Sequence, residues 1–167
     1  MNRDGGVPLP EPLAYFLTWP TYGTWLPGDE RGWVDRGHGF QAPNPGRKWE
    51  AAARLTDDDC QLDVQQRHLV EETIAGHCLF RGWTLHAVNC RTNHVHVVVT
   101  ASAHPDAVRT QFKAWCTRRL KELDVARGVH ISREQWWAER GNKRYINDMA
   151  SLEAAIQYVR DAQDSPR

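Results

Sequence analysis

Two histidines, His94 and His96, stand one residue apart in a run rich in valine, NHVHVVV at 93–99. In an extended strand alternate side chains leave the same face, so both imidazoles can converge on one cation while Val95 and Val97 turn into a core behind them. Two nitrogens fall short of the four ligands of a closed structural zinc and suit an open, catalytic metal site. The competing reading is a pair of solvated histidines on an exposed strand face. A histidine-triad nucleotide hydrolase would need a third histidine two positions on, and that residue is Val98. The remaining histidines (38, 68, 77, 86, 104 and 130) have no comparable pairing.

A second reactive side chain, Tyr158, lies in the last periodic segment, MASLEAAIQYVRDAQ. Met149, Leu152, Ile156 and Val159 recur there at helical spacing as a buried stripe. Tyr158 falls about 120° from the middle of that stripe, so it flanks the core. Gln163 comes round to the stripe side, where its amide oxygen could join His94 and His96 on an ion. Asp161, about 60° from Tyr158, is the alternative oxygen ligand.

These groups need a scaffold. LAYFLTW at 13–19 reads as a buried strand, preceded by a loose Pro/Gly-rich arm at 1–12. Residues 20–48 are rich in Pro and Gly and carry Trp25 and Trp33, which predicts a long loop that packs on something. Thr56, followed by Asp57, Asp58 and Asp59, predicts a helix start, with Leu62, Leu69, Val70 and Ile74 as its stripe until Gly76. WTLHAVNC at 83–90 and the run 94–100 read as two strands joined through Arg91, Thr92 and Asn93 in a tight antiparallel hairpin. A helix from near Asp106 sets Val108, Phe112, Trp115 and Leu123 on one side and Arg109, Lys113, Arg118 and Lys121 on the other. REQWWAERGNKRYI, broken by Gly141, supplies a fourth strand with a loop, and Asp148 caps the last helix. The order predicts an α+β fold: a ferredoxin-like βαββαβ sandwich with an antiparallel sheet and an added C-terminal helix carrying the tyrosine.

Composition sets the bounds. The chain has 167 residues and equal numbers of acidic and basic side chains, with 41% hydrophobic and 25% charged residues. That is globular composition, in one domain spanning 13–167. No apolar run approaches the roughly 18 residues of a membrane span, and no apolar h-region marks a secretion signal, so a cytoplasmic protein with no membrane partner is expected. Cys60, Cys78, Cys90 and Cys116 form no C-x-x-C pair and are expected as buried thiols. The zero net charge conceals a division. Residues 50–72 hold seven acids against two bases, and residues 104–145 hold ten bases against five acids. A polarised molecule could offer a local surface to an anionic polymer.

Together, NHVHVVV at 93–99 and AIQYVRDAQ at 155–163 resemble the HUH single-tyrosine transposases, of the insertion-sequence-200-like group and its relatives associated with repetitive extragenic palindromes (REP). FLTWPTYGTWLPGD at 16–29, QFKAWCTRRL at 111–120 and GNKRYIND at 141–148 extend the resemblance over most of the chain. It implies a metal-dependent nuclease and strand transferase acting on single-stranded, hairpin-bearing DNA in a bacterial cell, in association with the nucleoid. Tyr158 would be the nucleophile of a 5′-phosphotyrosine link. His94 and His96, with Gln163, would hold Mg²⁺ or Mn²⁺. Some relatives place the glutamine four residues after the tyrosine, where this chain has Ala162, which keeps Asp161 in view. A homodimer is left open, because such tyrosine helices sometimes dock on a partner subunit. DNA contacts are expected from Arg91, Lys113, Arg118, Arg119, Lys143 and Arg144; of Trp136 and Trp137, one could stack on unpaired bases while at least one is expected to pack in the core. The alternatives are a non-catalytic nucleic-acid-binding module of the same fold, whose usual aromatic strand motif is absent, and a domesticated descendant that binds or trims palindromes without mobilising itself.

Overall fold

The computed structural model describes residues 11–161, so most of the expected N-terminal arm and Gln163 lie outside the described residues. Strand β1 (Ala14–Pro20) is central: it pairs antiparallel with both β5 (His94–Thr100) and β6 (Asn142–Ile146). Strand β4 (Thr84–Cys90) completes the antiparallel sheet in the order β4-β5-β1-β6. This is the ferredoxin-like arrangement predicted from the element order.

Helices α2 (Val64–Arg81) and α3 (Pro105–Ala126) cover one face. There Leu17, Trp19, Val95, Val97 and Val99 from the sheet meet Val70, Ile74, Val108, Phe112 and Leu120 from the helices, all buried. Helix α4 (Met149–Asp161) lies on the opposite face, where Ala14, Ala87, Val98 and Ile146 meet Leu152, Ala155 and Val159. Strand β5 thus buries valines on both faces beneath helices. On the α4 face the residues of β5 that follow the alternation of Val98 are His96 and His94.

The departures from expectation lie mainly in residues 20–63. The stretch 20–48 is not only loop: it holds the hairpin β2 (Trp33–Asp35) and β3 (Gly39–Gln41), and helix α1 (Pro45–Ala53) begins inside it. Asn44 caps α1 by accepting from the Arg47 backbone N–H, with Pro45 at the first helical position, an N-terminal signal present in the sequence. Helix α2 starts at Val64, not near Thr56. Asp63 and Gln66 form a reciprocal capping box, whereas Asp57 accepts the backbone N–H groups of Glu134 and Gln135. Gly76 sits inside α2, which ends at Gly82 with φ 69°, a left-handed cap that glycine adopts without strain.

Two apolar stripes are also corrected. Met149 and Trp115 are exposed, and Ala155 in α4 and Cys116 in α3 take core positions instead. All four cysteines are free and buried. Among the described residues, no helix is long and apolar enough to cross a membrane.

The charge division folds back on itself. Arg127 of the basic stretch donates to the Asp63 carboxylate at 2.7 Å, and Arg133 donates to the carbonyls of Asp58 and Asp59. Part of the local excess of each sign is therefore spent on the other.

Candidate active site

Strand alternation does what the His-x-His spacing requires. The rings of His94 and His96 lie 4.6 Å apart between centroids and nearly perpendicular. Across the sheet, His96 is in register with Thr18 on one side and Asn89 on the other, and His94 with Pro20. The Nδ1 of His94 lies 2.7 Å from the Asn93 side-chain oxygen, which orients that ring. His96 is largely enclosed, its ring stacked 5.9 Å from Phe16. Burial above all, with the nearby charges of His94 and Arg91, drives its pKa down to about 3. It is neutral at physiological pH. Its Nδ1 is buried without a hydrogen-bond partner. A neutral imidazole with an unsatisfied nitrogen beside a second imidazole is a donor pair that fits a divalent cation. Among the described residues, no three His, Cys, Asp or Glu side chains come together as a metal site, so the two imidazoles would need a further oxygen ligand.

Helix α4 brings the tyrosine to this pair. Asp148 caps its first turn by accepting from the Ser151 N–H and hydroxyl. Leu152, Ala155 and Val159 seat the helix on the sheet. Tyr158, 48% exposed, flanks the buried stripe as its helical angle predicts. Its ring centroid is 6.0 Å from His96 and 6.0 Å from Phe16, edge-on to both. Residues more than sixty positions apart in sequence thus share one sheet face.

One residue that the sequence did not single out holds this together. The Asn89 amide donates to the Val159 carbonyl at 3.0 Å, tying the last described turn of α4 to the strand position opposite His96. Its signal was available only as strand register: Asn89 pairs with His96 once the hairpin is closed.

The other candidates scatter. Asp161 is exposed at the end of α4. Arg144 reaches the site, its guanidinium 5.3 Å above the Phe16 ring. Lys143 pairs with Asp106, and Arg118 and Arg119 pair with Glu122 on α3. Arg91 is partly buried in the turn before His94. Lys113 is turned inward, donating to the Ala138 carbonyl at 2.8 Å, and burial lowers its pKa to about 8. Trp136 and Trp137 are both buried in the α2/α3 core and offer no stacking surface.

No protein-family model matches this sequence, and comparison with curated proteins finds no match. Among solved structures, the chain is similar to one described as the REP-associated tyrosine transposase bound to a REP hairpin, with a TM-score of 0.52. The likeness is one of fold. At 12% identity it spans 95% of this chain and 70% of that one.

Proposed function

We propose that this protein cleaves and rejoins single-stranded DNA next to hairpins through a covalent tyrosine intermediate. The observation that carries the proposal is the placement of the Tyr158 ring 6.0 Å from His96, on the face that bears the His94 and His96 pair. A fold shared with a transposase bound to a hairpin supports the same reading.

His94 and His96 would hold Mg²⁺ or Mn²⁺, with Gln163 or Asp161 as the oxygen ligand. Such a cation, when bound, supplies Lewis-acid polarisation of the scissile phosphate. The Tyr158 phenolic oxygen would bond to phosphorus as the bond from phosphorus to the 3′-oxygen breaks, its proton passing to solvent while the departing 3′-oxygen takes one up from solvent to become a 3′-hydroxyl. The phosphotyrosine link conserves the bond, so a 3′-hydroxyl from another end can displace Tyr158 without a nucleotide cofactor. Phe16 and Asn89 keep the tyrosine helix in place during the exchange. Arg144, beside Phe16, would offer positive charge to the strand.

The test is a labelled hairpin oligonucleotide incubated with Mn²⁺ and then denatured. Wild-type protein carries a covalent DNA adduct that Tyr158→Phe lacks, and His94→Ala combined with His96→Ala loses cleavage while retaining hairpin binding. An adduct undiminished in Tyr158→Phe refutes the nucleophile. Binding without any adduct from the wild type would leave a non-catalytic module of the same fold.

A further inference from the structure

The segment between β1 and α2 carries an exposed aromatic pair that the site above does not use. Trp25 is 50% exposed and Phe40, on β3, is 70% exposed. Both rings are built onto the same backbone position. The Trp25 indole N–H donates to the Gly32 carbonyl at 2.9 Å, and the Phe40 ring lies where a side chain on residue 32 would sit, its Cζ 2.2 Å from the position of an added Cβ. Gly32 has φ 81°, so the absence of a side chain is required there twice over.

The pair is held, not merely exposed. Arg31 lies with its guanidinium 4.6 Å from the Trp25 ring centre. That guanidinium is fixed in turn by the buried Asp29 carboxylate at 2.7 and 3.0 Å and by the Thr24 carbonyl at 2.8 Å. On the other side of the hairpin, Arg140 donates to the carbonyl of Val34, the residue in register with Phe40. The exposed Arg36 occupies the hairpin turn. The neighbouring carboxylates Asp29 and Asp35 are already engaged, Asp29 with Arg31 and Asp35 with the Gly37 amide and His38.

The root of the segment is fastened to the histidine turn. The Thr21 N–H and hydroxyl both donate to the Asn93 carbonyl, at 2.8 and 3.1 Å, and the Asn93 side chain contacts His94. Trp25 follows four residues after Thr21. The aromatic pair is therefore carried on the same support as the candidate metal ligands.

Exposed, preorganised aromatic rings with a fixed guanidinium beside them match unpaired nucleobases and their phosphates. We infer that Trp25 and Phe40, with Arg31, form a base-stacking site for one or two unpaired nucleotides flanking the hairpin. The inference rests on the proposed function in taking single-stranded DNA as the ligand. The favoured occupant is single-stranded DNA because bases outnumber acids over residues 29–48, with Arg31, Arg36, Arg47 and Lys48 against Asp29, Glu30 and Asp35, and because the segment is fastened to the histidine turn. A protein surface docking on these rings would need no such charge.

The test is an abasic scan. A fluorescent hairpin oligonucleotide with a single-stranded flank is titrated by polarisation, replacing one flank base at a time with an abasic residue. Wild-type affinity falls about tenfold at one or two flank positions, the scale of losing one stacked base. Phe40→Leu keeps an apolar contact on Gly32 but has no π face. It binds the intact strand about tenfold more weakly and is insensitive to the abasic residue at those positions. Phe40→Trp restores both the affinity and the abasic penalty, which separates stacking from damage to the hairpin. An identical abasic profile in wild type and Phe40→Leu overturns the inference. So does a Phe40→Leu that changes only self-association in sedimentation. The Tyr158 adduct is read on the same oligonucleotide. Adduct formation with no abasic penalty sinks the stacking site alone, whereas wild-type protein that neither binds nor forms an adduct sinks the functional reading beneath it.

Discussion

Asp29 should govern both the acid stability of the protein and the shape of its aromatic segment. It is buried, and its carboxylate accepts from the Arg31 Nε and Nη2 and from the Arg31 backbone N–H, with the Lys48 ammonium at 3.6 Å. The Arg31 side-chain hydrogen bonds dominate, outweighing the opposing effect of burial, and the carboxyl is held down to about 2. A depressed carboxyl stabilises the folded state above the unfolded pKa of about 4, and that contribution is lost as pH falls through about 2. A difference of about two units at ~1.4 kcal/mol each gives roughly 2 to 3 kcal/mol. Arg31 is 43% exposed, and screening on its open side brings the expected value to about 2 kcal/mol. Asp29→Asn should therefore lower the unfolding free energy by about 2 kcal/mol at pH 7, as measured by urea titration followed by tryptophan fluorescence. The gap between wild type and variant should close between about pH 4.5 and pH 2, as the wild-type carboxyl itself is protonated. A gap that stays constant across that range, or a variant as stable as wild type at pH 7, would refute the reasoning.

Gly141→Ala places a Cβ 2.3 Å from the Thr18 carbonyl oxygen and 2.9 Å from the Trp19 Cβ. The central strand cannot yield, so a loss of about 3 kcal/mol in urea unfolding is expected, with reduced adduct formation because Thr18 is in register with His96. A wild-type unfolding midpoint would contradict that packing. Asn89→Ala removes one amide-to-carbonyl bond, worth about 1 kcal/mol. Amide exchange should quicken about fivefold near the end of α4 while α2 and α3 are unchanged. Uniform acceleration across all three helices would show that Asn89 stabilises the whole fold and not the tyrosine helix in particular.

Much of the sheet was legible because its signals are local. The strand at 94–100 is bounded by a turn and made of β-branched residues, and the two strands beside the turn at 91–93 have only one way to pair. Asp148 as a cap and Tyr158 as a flanking residue follow from helical angle alone. The stretch 20–63 was harder. Its acidic run at 57–59 looks like a helix start, but Asp57 is used by the backbone of Glu134 and Gln135, a partner more than seventy residues away. Of Trp136 and Trp137, one is open to stacking by sequence and at least one is expected in the core; the structure buries both.

What the sequence determined by itself is the chemistry on offer and its direction: two imidazoles on one face of a strand, and a phenol beside the stripe of a terminal helix. These follow from the two-residue and 3.6-residue periods, which are properties of the backbone. Only the tertiary structure decided that α4 carries the Tyr158 ring to 6.0 Å from His96 and that Asn89 ties its last described turn beside that histidine. Only it decided that His96 is enclosed enough to be held neutral, and that Arg127, Arg133 and Arg140 are engaged by the distant Asp63, Asp58, Asp59 and Val34. Burial and charge pairing depend on which distant segments come into contact, and the periodicity of a single segment does not encode that contact.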